Sequence, residues 1–334
     1  MGIFQKYLSL FVLLGIMIGT LAGEYLGDLS AYLSSLSYQG INIPIAILVW
    51  IMIFPMMLSI DLRKVKDIIS APGGLTLTLI ANWAVKPFTM AGIAALFFYA
   101  IYSGIYTETE ANALYSGAVL LGAAPCTAMV FVWSKLTKGD ALYTLVQVVV
   151  NDLLILVLFV PIVGLLLGIA GIIVPYGTLL FSIVIFVLLP LLVAQIVRIL
   201  PTSGKTALWA RLKRTTEPAT EVALVLTVAL IFAYQSGGIV SNLIDLGLIA
   251  VPLLIQTYLI FGLQWIIARK ISLPFKIAAP GCMIGASNFF ELAVVLAIAL
   301  FGIDSLAVTA TIAGVLVEVP VMLSLVGFAN RQAW

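Results

Sequence analysis

The sequence predicts an all-α integral membrane protein whose ten transmembrane helices form two inverted five-helix repeats, and three observations lead there. The chain has 334 residues, 63% of them hydrophobic and only 9% charged, with a mean hydropathy of +1.23. Soluble proteins carry about 25% charged residues, and a water-facing fold of this size cannot hide so much apolar surface. The apolar residues also fall into ten stretches, each near the ~20 residues that one crossing of the bilayer core requires. Finally, Lys and Arg alternate cleanly between the two sides that ten crossings create.

In order, the expected spans are residues 7–26, 41–60, 75–101, 112–134, 142–168, 172–197, 219–236, 244–268, 277–301 and 305–328. The first follows Lys6 and is longer than the apolar region of a leader peptide, so it reads as a retained span. Residues 1–168 make the first repeat and 172–334 the second; an odd number of helices in each makes them inverted. No stretch is polar enough for a soluble domain, and the longest break, residues 200–218, reads as a basic surface loop. One side collects Lys6; Arg63, Lys64 and Lys66; Lys135 and Lys138; Arg198, Lys205, Arg211, Lys213 and Arg214; Arg269, Lys270 and Lys276; and Arg331. The other side has Glu24, Asp28, Glu108, Glu110, Asp245 and Asp304 instead. This split places both termini in the cytoplasm. The basic residues are dispersed rather than clustered, which argues against nucleic-acid binding. The chain has no His and two Cys, both in apolar segments, so a His-based metal site, a disulfide framework and a thiolate zinc site all lack support, and no cofactor is expected.

One basic residue, Lys86, falls inside the third span, and Asp152, Glu291 and Glu318 lie in the middle third of the fifth, ninth and tenth. Lys86 and Asp152 are each about ten residues from the cytoplasmic end, a depth of ~15 Å. A charge at the bilayer centre costs roughly 2.5–3.5 kcal/mol even on insertion scales. The plain reading is a structural ion-pair cluster. One cation cannot neutralise three carboxylates, however, so the surplus must be protonated, bind a cation or face water. A proton- or sodium-coupled carrier needs such groups.

Two spans carry helix breakers at that depth. The fourth contains Gly122-Ala123-Ala124-Pro125-Cys126-Thr127, with Pro125 removing an N–H and freeing backbone carbonyls. The ninth contains Pro280-Gly281-Cys282, then Gly285-Ala286-Ser287-Asn288 ahead of Glu291. Freed backbone groups at membrane depth are tolerated where they are buried in protein or line a cavity. Breaks at matching positions of two halves point to a midplane transport site. Ordinary kinks are the alternative, and the paired spacing favours transport. Gly15, Gly19, Gly23 and Gly27 form a smooth face on the first span that serves equally within a protomer or between the copies of a homodimer. Trp50, Trp83, Trp133 and Trp265 read as packing or interface anchors.

The same residues carry a family resemblance over essentially the whole chain. Residues 122–133, GAAPCTAMVFVW, resemble the signature of arsenical-resistance permeases, which are arsenite efflux transporters. Asn82-Trp83 with Lys86-Pro87 resembles their third helix, residues 285–293, GASNFFELA, the ninth, and residues 314–322, GVLVEVPVM, the tenth. The family shares a superfamily with bile-acid/sodium symporters. The resemblance implies a panel of helices one, two, six and seven, and a core of the other six with two broken, crossing helices. It implies that Cys126 and Glu291 serve transport of arsenite across the cytoplasmic membrane, and it leaves antimonite open. Arsenite near neutral pH is largely an uncharged trihydroxide with a thiophilic centre, which suits a Cys126 sulfur. Asn288, Ser287, Thr127 and freed backbone groups are suited to bond its hydroxyls. Glu291 would exchange protons for substrate, with Lys86, Asn151, Asp152 and Glu318 setting the surrounding field. Cys282 lies outside the motif and reads as packing or an accessory contact. Two alternatives stay open: a sodium-coupled organic-anion importer, and a membrane enzyme or receptor, the enzyme weakened by the lack of a nucleophile–base pair.

Overall fold

A computed structural model describes residues 7–38, 40–59, 72–126, 129–199, 205–234 and 239–334. Lys6, Arg63, Lys64, Lys66 and Thr127 lie outside the described residues. The described residues are mostly helical, and the chain is an all-α membrane protein. Five helices are long and apolar enough to cross a bilayer: Pro72–Ile101, Ala141–Ile169, Tyr176–Arg198, Ile244–Lys270 and Leu306–Arg331. They coincide with the third, fifth, sixth, eighth and tenth expected spans, named so below. Shorter apolar helices lie in the first, second, seventh and ninth.

The first span is Leu8–Tyr25 and the second Ile43–Ser59. Between them the chain forms a helix at Gly27–Ser35 and a two-residue ribbon, Ser37–Tyr38 against Ile41–Asn42. Hydropathy gave no sign of this ribbon. Asn42 closes it, its Nδ2 donating to the carbonyls of Leu33 and Ser34 (3.1 and 3.2 Å) while its Oδ1 accepts from the Ile45 N–H (3.1 Å). The seventh span lies in the helix Lys205–Tyr234, whose apolar part, Ala219–Tyr234, begins where expected, while the basic loop expected at residues 200–218 is helix from Lys205 on. Residues 205–213, KTALWARLK, are good helix formers, and hydropathy overlooks a helix that leaves the apolar region. The eighth span begins at Ile244 as expected, inside a longer helix, Ile239–Lys270.

The fourth and ninth spans are each broken in two. The fourth is Glu108–Ala123 followed by Val130–Leu136, and the ninth is Phe275–Ala286 followed by Phe290–Phe301. A 12-residue piece reaches about 18 Å, too short to cross alone. Pro280 is accommodated inside the first piece of the ninth span, so that part of the expected break is helix.

Packing follows the small residues. The first and second spans lie against the seventh and the sixth against the second, with Gly15 and Gly19 set on Val225 and Ala229 of the seventh. A Cβ on Gly19 would overlap the Ala229 carbonyl, so the Gly15 and Gly19 part of the face is used within the protomer, whereas a Cβ on Gly27 would meet nothing. The tenth span packs on the fourth, eighth and ninth, its Ala307 and Ala310 meeting Gly117 and its Gly314 meeting Leu121. Close backbone approach through small residues is how membrane helices gain dispersion contacts without a hydrophobic drive between them. Outward faces keep apolar side chains exposed, among them Leu180, Leu192 and Ile196 on the sixth span.

The fourth span starts with a capping box. Glu110 Oε2 accepts from the Thr107 N–H and hydroxyl (both 2.8 Å), and Thr107 Oγ1 accepts from the Glu110 N–H (3.4 Å). The Thr107 backbone bond, then its hydroxyl, holds the Glu110 carboxyl below its ordinary 4.5. A depressed carboxyl contributes stability above its unfolded value and loses it as pH falls through the folded one. Thr107→Ala should therefore weaken this turn by about 1 kcal/mol, read as faster amide exchange at residues 108–111. Acidifying the unmutated protein below 4.5 should speed the same amides.

Candidate functional site

The two broken spans cross at their breaks. Each loses its helix for a few residues, and the freed backbone groups satisfy one another. Pro125 and Asn288 form an antiparallel bridge, with the Cys126 N–H donating to the Ser287 carbonyl (3.3 Å) and the Phe289 N–H to the Ala124 carbonyl (3.0 Å). Unpaired backbone groups in an apolar interior are costly, so this small ribbon is what makes two breaks tolerable at one place.

The glycines expected to break these helices do not. Helix continues to Ala123 and Ala286, so Gly122 and Gly285 still belong to last turns. Their task is close approach. A Cβ on Gly122 would lie 2.5 Å from Met90 of the third span, and one on Gly285 would overlap the carboxamide of Gln264 on the eighth. Pro125, by contrast, stands at the break itself.

Most of the expected site residues gather around the crossing. Cys126, Ser287, Asn288, Glu291, Lys86 and Glu318 are all buried. The Cys126 thiol lies among Val130, Val148 and Ile284 and within hydrogen-bond reach of the Ser287 side chain and the Met129 N–H. The carboxylates of Glu291 and Glu318 lie within electrostatic range of it. Lys86 Nζ donates to the Ser287 carbonyl, and the Ser287 hydroxyl donates to Glu318 Oε1. Glu318 also takes the Asn288 backbone N–H and faces Lys86. Lys86 thus meets one carboxylate and one freed carbonyl, while Glu291 stands apart from that pairing. Asn288 Oδ1 and Glu291 Oε2 are buried acceptors without a hydrogen-bond partner. Buried acceptors are ordinarily satisfied, so two of them beside a thiol and a helix break suit a ligand that brings O–H donors.

Asn151 and Asp152 sit fully buried on the fifth span. Asn151 Oδ1 accepts from Asn82 Nδ2 (3.1 Å) and Trp83 Nε1 (3.0 Å). Trp83 is therefore a hydrogen-bonding member of the network as well as a packing residue. Both donors lie on a π-helical turn, Ala81–Val85, a form frequent at functional sites. Gln147 and Gln256 were not expected. Gln147 Nε2 donates to the Tyr143 hydroxyl (2.6 Å), and Gln256 Nε2 to the Lys86 carbonyl (3.0 Å) and Thr89 Oγ1 (3.1 Å). A signal existed. Thr78, Asn82 and Lys86 recur every fourth residue, as do Tyr143, Gln147 and Asn151, which sets one polar stripe on each helix. Cys282 lies off the crossing, buried beside a narrow crevice with Gly74, Thr78, Tyr143 and Gly281.

Comparison with known proteins bears on this arrangement. A family model described as the sodium bile acid symporter family matches residues 46–242. Over 332 residues the chain is 48% identical to the arsenical-resistance protein Acr3 of Alkaliphilus metalliredigens, spanning 99% of this chain and 93% of that protein. It is 40% identical to an uncharacterized transporter of Synechocystis, over 100% of this chain and 90% of that protein. It is 28% identical to the arsenical-resistance protein Acr3 of Corynebacterium glutamicum, over 96% and 87% respectively.

Proposed function

The chain belongs to the sodium bile acid symporter family and, with its full-length relatives, to the arsenical-resistance proteins, and on that premise we propose that it exports arsenite across the cytoplasmic membrane in exchange for protons. The observation that carries the reading is the crossing, where a buried thiol, two unpartnered acceptors and two helix breaks converge. Arsenous acid offers three O–H donors and a soft centre. Cys126 sulfur replaces one hydroxyl on arsenic, which leaves as water with the thiol proton, and Asn288 Oδ1 and Glu291 Oε2 accept from the two hydroxyls that remain; water reverses the exchange on release. A single thiol keeps the substrate releasable, as a carrier requires.

Ten spans form two inverted repeats, residues 1–168 and 172–334, with both termini cytoplasmic. The packing of the first and second spans on the seventh and of the sixth on the second supports a panel, and that of the third, fourth, fifth, eighth, ninth and tenth on one another supports a core. The core moves against the panel to open the crossing to each side in turn. Facing inward, Glu291 gives up its proton and helps seat arsenite beside Cys126; facing outward, it takes a proton as arsenite leaves. Asn151 holds the third and fifth spans in register around the site through Asn82 and Trp83, and Asp152 adds its charge to the field there.

Arsenite flux in proteoliposomes tests this directly. Accumulation should follow an imposed pH gradient and be unchanged when choline replaces sodium. Accumulation that follows only a sodium gradient would favour the organic-anion symporter mechanism instead.

A further inference from the structure

Lys86 sits where a free cation would be expected. The helix ends at Ala286, which frees the Ser287 carbonyl, and that carbonyl accepts from Lys86 Nζ. Beside it stands the Glu318 carboxylate, held in place by the Ser287 hydroxyl and the Asn288 N–H. A carbonyl at an unwound helix, a hydroxyl and a carboxylate are an oxygen-only donor set of the kind that binds hard cations in transporters. The chain belongs to a family described by sodium symport, yet here the positive charge arrives on a side chain. Its root is fixed as well. Gln256 donates to the Lys86 carbonyl (3.0 Å), Thr89 Oγ1 donates to the same carbonyl (3.1 Å), and the side chain is 1% exposed.

We propose that the Lys86 ammonium is a resident replacement for a sodium ion, which makes the transporter independent of sodium, and that removing it turns the crossing into a sodium site. A tethered ammonium cannot leave, so it cannot couple to a gradient. It neutralises Glu318 permanently and leaves Glu291 as the group free to gain and lose a proton. The consequence for flux rests on the transport reading above, whereas the cation site itself does not.

Thermal unfolding of the purified wild type and of Lys86→Gln, in sodium chloride and in choline chloride at equal ionic strength, tests the site without any substrate. The wild type should not respond to sodium. Lys86→Gln should gain about 3 °C or more with a saturating sodium dependence. In proteoliposomes, wild-type arsenite exchange should be equal in both salts, and that of Lys86→Gln roughly 5-fold or more faster in sodium. A sodium requirement in the wild type, or a folded Lys86→Gln indifferent to sodium in unfolding, overturns the proposal. If Lys86→Gln folds in neither salt, the double variant Lys86→Gln with Glu318→Gln decides. It should fold and ignore sodium, and either failure to fold or stabilisation by sodium counts against the proposal. If the wild type moves no arsenite, the substrate assignment fails while the unfolding comparison still judges the cation site.

Discussion

Glu291→Gln abolishes arsenite accumulation driven by a pH gradient, with a loss of about 100-fold or more, yet leaves arsenite–arsenite counterflow largely intact. The two outcomes separate because glutamine keeps the shape and a carbonyl acceptor at a position that is 4% exposed but cannot carry a proton. Glu291 opens the second piece of the ninth span, immediately past the break, and its Oε2 has no hydrogen-bond partner. It is therefore free to exchange a proton without first breaking an internal bond. Lys86 and Glu318 are engaged with each other through Ser287 and are not free in that sense. Full gradient-driven accumulation by Glu291→Gln would remove it as the proton carrier, and parallel loss of both activities would make it part of the seat alone.

Glu318→Gln costs stability rather than coupling alone. The carboxylate accepts from the Ser287 hydroxyl and the Asn288 N–H and faces the Lys86 ammonium, all within a buried crossing. Removing one partner of a buried pair typically costs 3–5 kcal/mol, because the remaining charge is left uncompensated. Glutamine keeps an acceptor for Ser287, so roughly the lower end of that range is expected for Glu318→Gln. Most of the loss should vanish in Lys86→Gln with Glu318→Gln, where no orphan charge remains, and a double-mutant cycle on thermal unfolding measures that coupling. Additive losses in the cycle would mean that the two groups do not interact.

Why the sequence revealed some of this and not the rest is a matter of which forces leave a trace in composition. The third, fifth and tenth spans were legible almost to the residue, because lipid demands a continuous apolar run. Pro125 marked the fourth-span break, since a missing N–H is a property of the residue itself. Gly122 and Gly285 were misread because glycine serves both as a breaker and as a contact point, and only Met90 and Gln264 across the gap tell the two apart. The helix that precedes the seventh span, residues 205–218, was missed because its turns are polar. Cys126, Asn288 and Glu291 were legible as a group, since breaks at matching positions bring their residues together. The partner of Lys86 was not legible, for one of its partners is the backbone carbonyl of Ser287, a group that every residue has. Trp83 and Gln147 were hidden by averaging, since a hydropathy window dilutes a polar stripe whose members are four residues apart.

Transport by this route requires arsenic to meet one sulfur at the crossing. Arsenic K-edge X-ray absorption of the purified protein loaded with arsenite reads the atoms bound to arsenic. The expected result is a sulfur neighbour beside oxygens in the wild type, kept in Cys282→Ser and lost in Cys126→Ser. An oxygen-only shell in the wild type, or a sulfur shell that survives Cys126→Ser, would contradict it.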